Sequence, residues 1–301
     1  MKEAYKKQVD LLLRILPEVA EEKNFALHGG TGINLFELNL PRLSVDIDLT
    51  YTTFGERTKD LQTIRMLLED LKKRIQNRIP TIVFSDPIVA AENLKILCTT
   101  KEASVKIEVN QINRGLIGAS RIMTLCEKAQ EEFDSFCEMS VVSSKQLWGG
   151  KIAAALDRQH PRDLFDVNNL LNGTGFMEDI KSGFLFFLLC GKRPINEMLN
   201  PQLINQDAVF SSQFNGMTDQ PFSYKEYQTV RSLLLETIHR NLTSDEKEFL
   251  LAFVKGEPIW DKIDYSMYPS ISWKLMNIDI LKKNNPKKFQ EQITLLEQVL
   301  Y

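Results

Sequence analysis

Cysteine is sparse and scattered: Cys98, Cys126, Cys137 and Cys190 are the only four in 301 residues, and no C-x-x-C pair occurs. That excludes a paired-thiol zinc framework and makes free thiols in a reducing compartment the expected state. Histidine is rarer, three in all, and His160 and His239 have no metal-ligand spacing. Long apolar runs are missing too. The most apolar stretch, GFLFFLLCG from Gly183 to Gly191, is far too short to span a bilayer and reads as a buried helix. The opening segment MKEAYKKQVDLLLRILPEVAEEKN lacks the apolar core and small-residue cleavage site of a secretory signal. No membrane partner is therefore expected, and a cytoplasmic location is. Charge of one sign is also absent, with 37 basic against 40 acidic side chains and a net charge of -3. Wholesale electrostatic binding of nucleic acid is not implied, although a local basic groove is compatible with these numbers. No repeat or low-complexity tract is present.

A chain of 301 residues is long for one compact domain, so two are expected. Val9, Leu12, Leu13, Leu16 and Ala20 recur at helical spacing and open the chain with an amphipathic helix. Phe25-Ala26-Leu27 is a short apolar strand ended by His28-Gly29-Gly30, after which Gly30 or Thr31 can cap a short helix running to Phe36. Leu43 to Thr50 alternates, with Val45, Ile47 and Leu49 on one face and Ser44, Asp46, Asp48 and Thr50 on the other. A long helix over Leu61–Ile75 ends by Pro80; extended stretches follow near 81–84 and 94–100, the second pairing with Ser104–Val109 through a turn at Lys101-Glu102. Near Ser140 the character changes. Ser143-Ser144-Lys145-Gln146 reads as a capping box for a helix to Arg158, Pro161 suits the start of the next, and Thr243 to Glu246 is a second capping box. Helical patterns then dominate to Tyr301. The reading is an α+β chain: a mixed α/β domain over 1–142 and a helical domain over 143–301.

The stretch HGGTGINLFELNLPRLSVDIDLTY, His28 to Tyr51, carries the chemistry. Side chains two apart on a strand point the same way, so Asp46 and Asp48 lie side by side. Parallel carboxylates repel unless a cation sits between them, and hard oxygen ligands suit Mg²⁺, with Mn²⁺ as a substitute. Glu108, on the polar face of another strand, can supply a third oxygen. Three such groups would make a two-metal phosphoryl- or nucleotidyl-transfer site. Gly29 and Gly30 follow a strand and open a helix, so their bare backbone N–H groups can approach phosphates, and Ser44 can add a hydroxyl. Alone, a glycine pair or a D-x-D is weak; a D-x-D is as often a solvated strand face. The composite strand–GG–helix–R-x-S-x-D-x-D is specific.

GGTGINLFELNLPRLSVDIDL resembles the first motif of the AbiEii-type nucleotidyltransferase toxins, within the DNA polymerase β-like nucleotidyltransferase superfamily. KIAAALDRQHPRDLFDV, Lys151 to Val167, resembles the family's other main motif, and VKIEV, Val105 to Val109, stands where the family places its third acidic position. The resemblance covers roughly 25–170. It departs in having Glu108 where Asp is commoner and His28 where lysine is often found. It implies a polymerase β-like fold, an NTP co-substrate, a separately encoded antitoxin, and transfer of a nucleoside monophosphate to a tRNA 3′ end that stops translation. It also places Lys151 and one aspartate of R-D-x-x-D in the active site, with Asp163 the choice.

The second motif makes physical sense unaided. Lys151 and Arg158 are seven apart and share a helix face, while Arg162 and Asp166 are i,i+4 neighbours on the next helix. Lys151 can neutralise a triphosphate. Asp163 can orient Lys151 or serve as a base, and Arg162 can join the phosphate contacts or, with Asp166, tie the helices. The catalytic candidates are Asp46, Asp48, Lys151 and Asp163. Gly29, Gly30, Ser44, Lys151 and Arg162 are candidates for nucleotide binding, and Asp46, Asp48 and Glu108 for metal. The bland readings are a lysine pair for Glu108, a helix N-terminal acidic cluster for Asp163 and Asp166, a loop-holding role for Arg42, and a solvated face for Lys282-Lys283 and Lys287-Lys288. Two rival functions stand beside the toxin: an aminoglycoside-type small-molecule nucleotidyltransferase, and a catalytically idle NTP- or antitoxin-binding module.

Overall fold

A computed structural model of the chain describes residues 1–85, 94–261 and 263–301. They form two compact units, one of Met1–Leu147 with Phe214–Pro221 and one of Trp148–Gln213 with Phe222–Tyr301. The first contains α1 (Glu3–Ala20), β1 (Phe25–His28), α2 (Gly29–Gly32) continued by a π-helical turn over Ile33–Glu37, and β2 (Asp46–Tyr51). These are followed by α3 (Arg57–Arg78), β3 (Val83–Ser85), β4 (Lys95–Thr99), β5 (Ser104–Val109), β6 (Arg121–Thr124), α4 (Glu127–Phe133) and β7 (Glu138–Val141). The strands make one mixed seven-stranded sheet in the order β3-β4-β5-β2-β1-β7-β6. β2 runs parallel to β5 and antiparallel to β1, while β1 pairs in parallel with β7.

The period-2 pattern sets which face is which. On β2 and β5 the apolar alternates Ile47, Leu49, Val105, Ile107 and Val109 are buried, and Asp46, Asp48, Lys106 and Glu108 between them are only half-buried. α1 packs against β5 and β7 with α3 beside it, burying the Val9, Leu12, Leu13 and Leu16 stripe. The expected hairpin of β4 and β5 is present as an antiparallel pair, from Lys95 opposite Glu108 to Thr99 opposite Ser104.

Three local expectations change. The strand expected from Leu43 begins at Asp46, because the Leu43 N–H donates to Met217 O at 2.7 Å and Leu43 O accepts from Arg42 Nη1 at 2.8 Å. The helix expected to be capped at Gly30 or Thr31 starts at Gly29 without a side-chain cap. At α5 (Ser144–Arg158) only half a capping box forms. Ser143 Oγ accepts from the Gln146 N–H at 3.2 Å, but the Gln146 side chain accepts from Ile117 N at 2.8 Å instead of reaching back. Strands β6 and β7 had no sequence expectation.

Beyond its first turn α5 belongs to the second unit. There α6 (Pro161–Asn172), α7 (Glu178–Cys190), α8 (Ile195–Leu199), α9 (Asp207–Val209), α10 (Tyr224–Asn241), α11 (Ser244–Val254), α12 (Pro269–Asn284) and α13 (Pro286–Leu300) follow, with no strand among the described residues. The expected capping box at Thr243 and Glu246 is complete. The apolar run predicted as buried is the inner part of α7. α5 crosses it so closely that a Cβ on Gly149 would lie 2.3 Å from the Gly183 carbonyl carbon. No described helix is long and apolar enough to cross a membrane.

Candidate active site

The sheet register gathers the acidic candidates of the first unit. Asp46 stands opposite Lys106 and Asp48 opposite Glu108, while His28 of β1 is the other neighbour of Asp48. Directly opposed residues share a face, so Asp46, Asp48, Lys106 and Glu108 form one polar patch, with Lys95 of β4 next to Glu108. Glu108 is clasped: its Oε1 lies 3.0 Å from Lys95 Nζ and its Oε2 2.8 Å from Lys106 Nζ. Burial pushes the Glu108 carboxyl up, but the lysine hydrogen bonds outweigh it and hold the group below its ordinary value. For Lys106 burial works against the charge, and the pull of Glu108, Asp46 and Asp48 raises the ammonium above the ordinary lysine value. Among the described residues no group of three or more His, Cys, Asp or Glu side chains is arranged to hold a metal ion. Glu108, expected as a third ligand, bonds a lysine through each of its oxygens. The donor set that fits Mg²⁺ is the pair of hard carboxylates on β2.

The glycines admit the protein's own side chains. Gly29 has φ +72°, and a Cβ there would lie 2.3 Å from Asp48 Oδ2. Only glycine both takes that backbone conformation and leaves room for the carboxylate. A Cβ on Gly30 would be 2.9 Å from both Arg42 Nη2 and Ser44 Oγ. Ser44 is buried and accepts from Thr31 Oγ1 at 3.0 Å; Thr31 Oγ1 also lies 2.5 Å from the carbonyl of Asp46. The turn after β1 is thereby pinned to the strand that carries the aspartates. Arg42 is buried and bonded to its own loop, and His28 Nε2 lies 3.2 Å from Gln146 O.

The second motif forms a cluster in the helical unit that is buried except for the Arg158 side chain. Lys151 Nζ on α5 donates to Asp163 Oδ1 at 2.8 Å and pairs with Asp166 Oδ2 at 2.9 Å, both on α6. Arg158, one heptad beyond Lys151, donates from Nε to Asp163 Oδ2 at 2.6 Å and from Nη2 to Oδ1 at 3.0 Å. Side-chain exposure is 5% for Lys151, 1% for Asp163 and 0% for Asp166. Burial alone would push the Asp163 carboxyl up, but Lys151 and Arg158 hold it well below the usual carboxylate range. The half-buried Arg162 donates its N–H to His160 Nδ1 at 3.1 Å, so the histidine caps α6.

A glycine-pinned D-x-D strand and a K…R/D-x-x-D helix pair are thus both realised in space. The sequence model described as nucleotidyl transferase AbiEii toxin, type IV TA system, matches residues 10–277. The chain belongs to the AbiEii family. As an AbiEii protein it is a nucleotidyltransferase toxin of a type IV toxin–antitoxin system, using an NTP and paired with an antitoxin. MenT4, a nucleotidyltransferase toxin from Mycobacterium tuberculosis H37Rv, has a similar fold: TM-score 0.60 at 13% identity, covering 92% of this chain and 95% of that one. No curated protein matches the sequence. In this AbiEii chain the lysine pair allowed for Glu108 is present twice over, with Lys106 of its own strand and Lys95 of β4. Lys106 is visible in the sequence, since it alternates with Glu108 on one strand face. Lys95 becomes visible only through the β4–β5 register.

Proposed function

We propose that this AbiEii toxin transfers a nucleoside monophosphate from an NTP to the 3′-terminal hydroxyl of tRNA in the cytoplasm, and so stops translation. The observation that carries the catalytic half is the Asp46–Asp48 pair on one strand face, with Asp48 seated against a glycine that leaves no room for a Cβ. These carboxylates would hold Mg²⁺, which Mn²⁺ can replace. When bound, the metal supplies charge neutralisation at the leaving pyrophosphate and a lowered pKa for the attacking hydroxyl. Backbone N–H groups near Gly29 and Gly30 give a phosphate-binding turn, and Lys95 and Lys106 add positive charge beside it. Ser44, already bonded to Thr31, fixes the turn.

Lys151 is the proposed catalytic cation of the second motif. Asp163 is a positioning residue for it. A buried carboxylate held by two cations and with a depressed pKa is a poor proton acceptor at neutral pH, which argues against a general-base role. An antitoxin encoded apart would counter the activity.

The test is incubation with Mg²⁺, each labelled NTP in turn and total cellular RNA, with Asp46→Ala and Asp48→Ala as controls. Metal-dependent label on tRNA that both substitutions abolish is the expected result. No label on RNA with any NTP would defeat the tRNA reading, and label only on added small hydroxyl compounds would point to a small-molecule transferase instead.

A further inference from the structure

The helical hairpin of α12 and α13 carries Lys282, Lys283, Lys287 and Lys288 about its turn, and no acidic residue occurs from Leu281 to Gln290. In a chain with a net charge of -3 this is a local reversal of sign. All four lysines are exposed. Lys282 is 3.7 Å from Glu257 and lies over the Phe289 ring at 5.6 Å, and Lys283 bonds Asp279 at 2.6 Å. Lys287 and Lys288 have no carboxylate partner among the described residues. Exposed pairs of this kind are worth little and yield readily to a polyanion.

Leu281 and Phe289 of the same hairpin also line a cleft of about 370 Å³, within the range of small-ligand sites. Trp273, 41% exposed, opens into it, with the amides of Asn196, Asn277 and Gln292 and the ammonium of Lys192 around the wall. Lys274 ties down the rim, donating from Nζ to Gly191 O at 2.6 Å and Arg193 O at 3.2 Å. A flat indole, amides offering both donors and acceptors, and an adjoining lysine strip match the three parts of a nucleotide: base face, base edge and phosphate. Met276 and Ile280 continue the exposed face of α12, which a protein partner would also use. The lysines and amides favour nucleic acid.

We propose that this face of the helical unit docks single-stranded RNA, with one base stacking on Trp273 and the neighbouring phosphates lying on Lys282, Lys283, Lys287 and Lys288. The inference rests on reading the acceptor as RNA. It is tested by fluorescence anisotropy of a labelled oligoadenylate of about ten nucleotides with the full-length chain, titrated at several salt concentrations. Trp273→Ala should weaken binding about tenfold at every salt concentration. The double substitution Lys287→Glu with Lys288→Glu should weaken it and flatten the plot of log affinity against log salt by about 1.4. If both variants melt like the parent and bind like it, the surface is wrong. If Trp273→Ala instead turns a dimer into a monomer by light scattering, the face is a contact between copies of the chain and the RNA proposal falls. Oligonucleotide binding lost in these variants without any NTP-dependent labelling of RNA by the parent would uphold the surface and sink the acceptor. NTP-dependent labelling of RNA by the parent, with both variants binding as the parent does, would do the reverse.

Discussion

Asp46 and Asp48 stand two apart on a strand with part of each side chain at the surface, whereas Asp163 and Asp166 stand three apart on a helix, wholly inside, against Lys151 and Arg158. The two aspartate pairs have the same chemistry and opposite electrostatic settings. In the helical unit countercharges are built in: Lys151 and Arg158 clasp Asp163, and Lys151 also pairs with Asp166. On the β2 face Lys95 and Lys106 bond Glu108, and Lys106 also feels the charge of Asp46 and Asp48; the proposed metal would add to that countercharge. A motif match alone gives these four aspartates equal standing; their surroundings are what the proposed split between metal binding and positioning rests on.

The largest expected effect separates the pairs by readout. Asp46→Ala or Asp48→Ala should remove several kcal/mol of metal-derived transition-state stabilisation, lowering kcat in the RNA-labelling assay by about 10³-fold with little change in thermal midpoint. Asp163→Ala should do the opposite first: it leaves two cations short of a buried partner and costs about 3–5 kcal/mol in urea unfolding. The pH dependence follows from the depressed folded-state pKa of Asp163. Its contribution is present above the unfolded aspartate value of about 3.9 and is lost as pH falls below it towards the folded value. The stability gap between parent and Asp163→Asn should therefore be flat from about pH 5 to 8 and narrow in stronger acid. A gap that widens on acidification would contradict the cation clasp.

Gly29→Ala comes next, at about 1–3 kcal/mol of stability for a side chain forced to positive φ. Transfer should fall more than stability does, because the added methyl displaces the Asp48 carboxylate. Equal losses would mean that the glycine serves only the backbone. The smallest effect belongs to Glu108→Gln: a partly exposed pair is worth about 0–1 kcal/mol, and the Mg²⁺ concentration dependence of the rate should stay as in the parent. A collapse matching Asp46→Ala would show Glu108 acting as a metal ligand.

The aspartate strand was legible in the sequence because its period-2 alternation is local, and so was the helix pair, where Lys151 and Arg158 fall one heptad apart. Contacts made at a distance were not. Nothing near Gly29 announces that Asp48, nineteen residues on, fills the space its missing side chain leaves. The alternation of Leu43 to Val45 extends the strand pattern too early, since these buried residues lie outside the ladder and Leu43 bonds Met217 instead. Lys95 meets Glu108 only after a hairpin forms. Sequence pattern fixes faces; partners depend on register and on returns of the chain.

One such return has a consequence in time. Phe214–Pro221 belongs to the first unit: the Lys2 N–H donates to Gly216 O at 2.7 Å, Leu43 N to Met217 O at 2.7 Å, and Thr218 Oγ1 to Pro41 O at 2.7 Å. The unit that bears Asp46 and Asp48 therefore stays incomplete on the ribosome until Pro221 has emerged, 74 residues after Leu147. At ordinary elongation rates that is a delay of about 4–15 s. Throughout it the loop leading into the aspartate strand lacks its partner, so this unit completes its fold only late in its own synthesis.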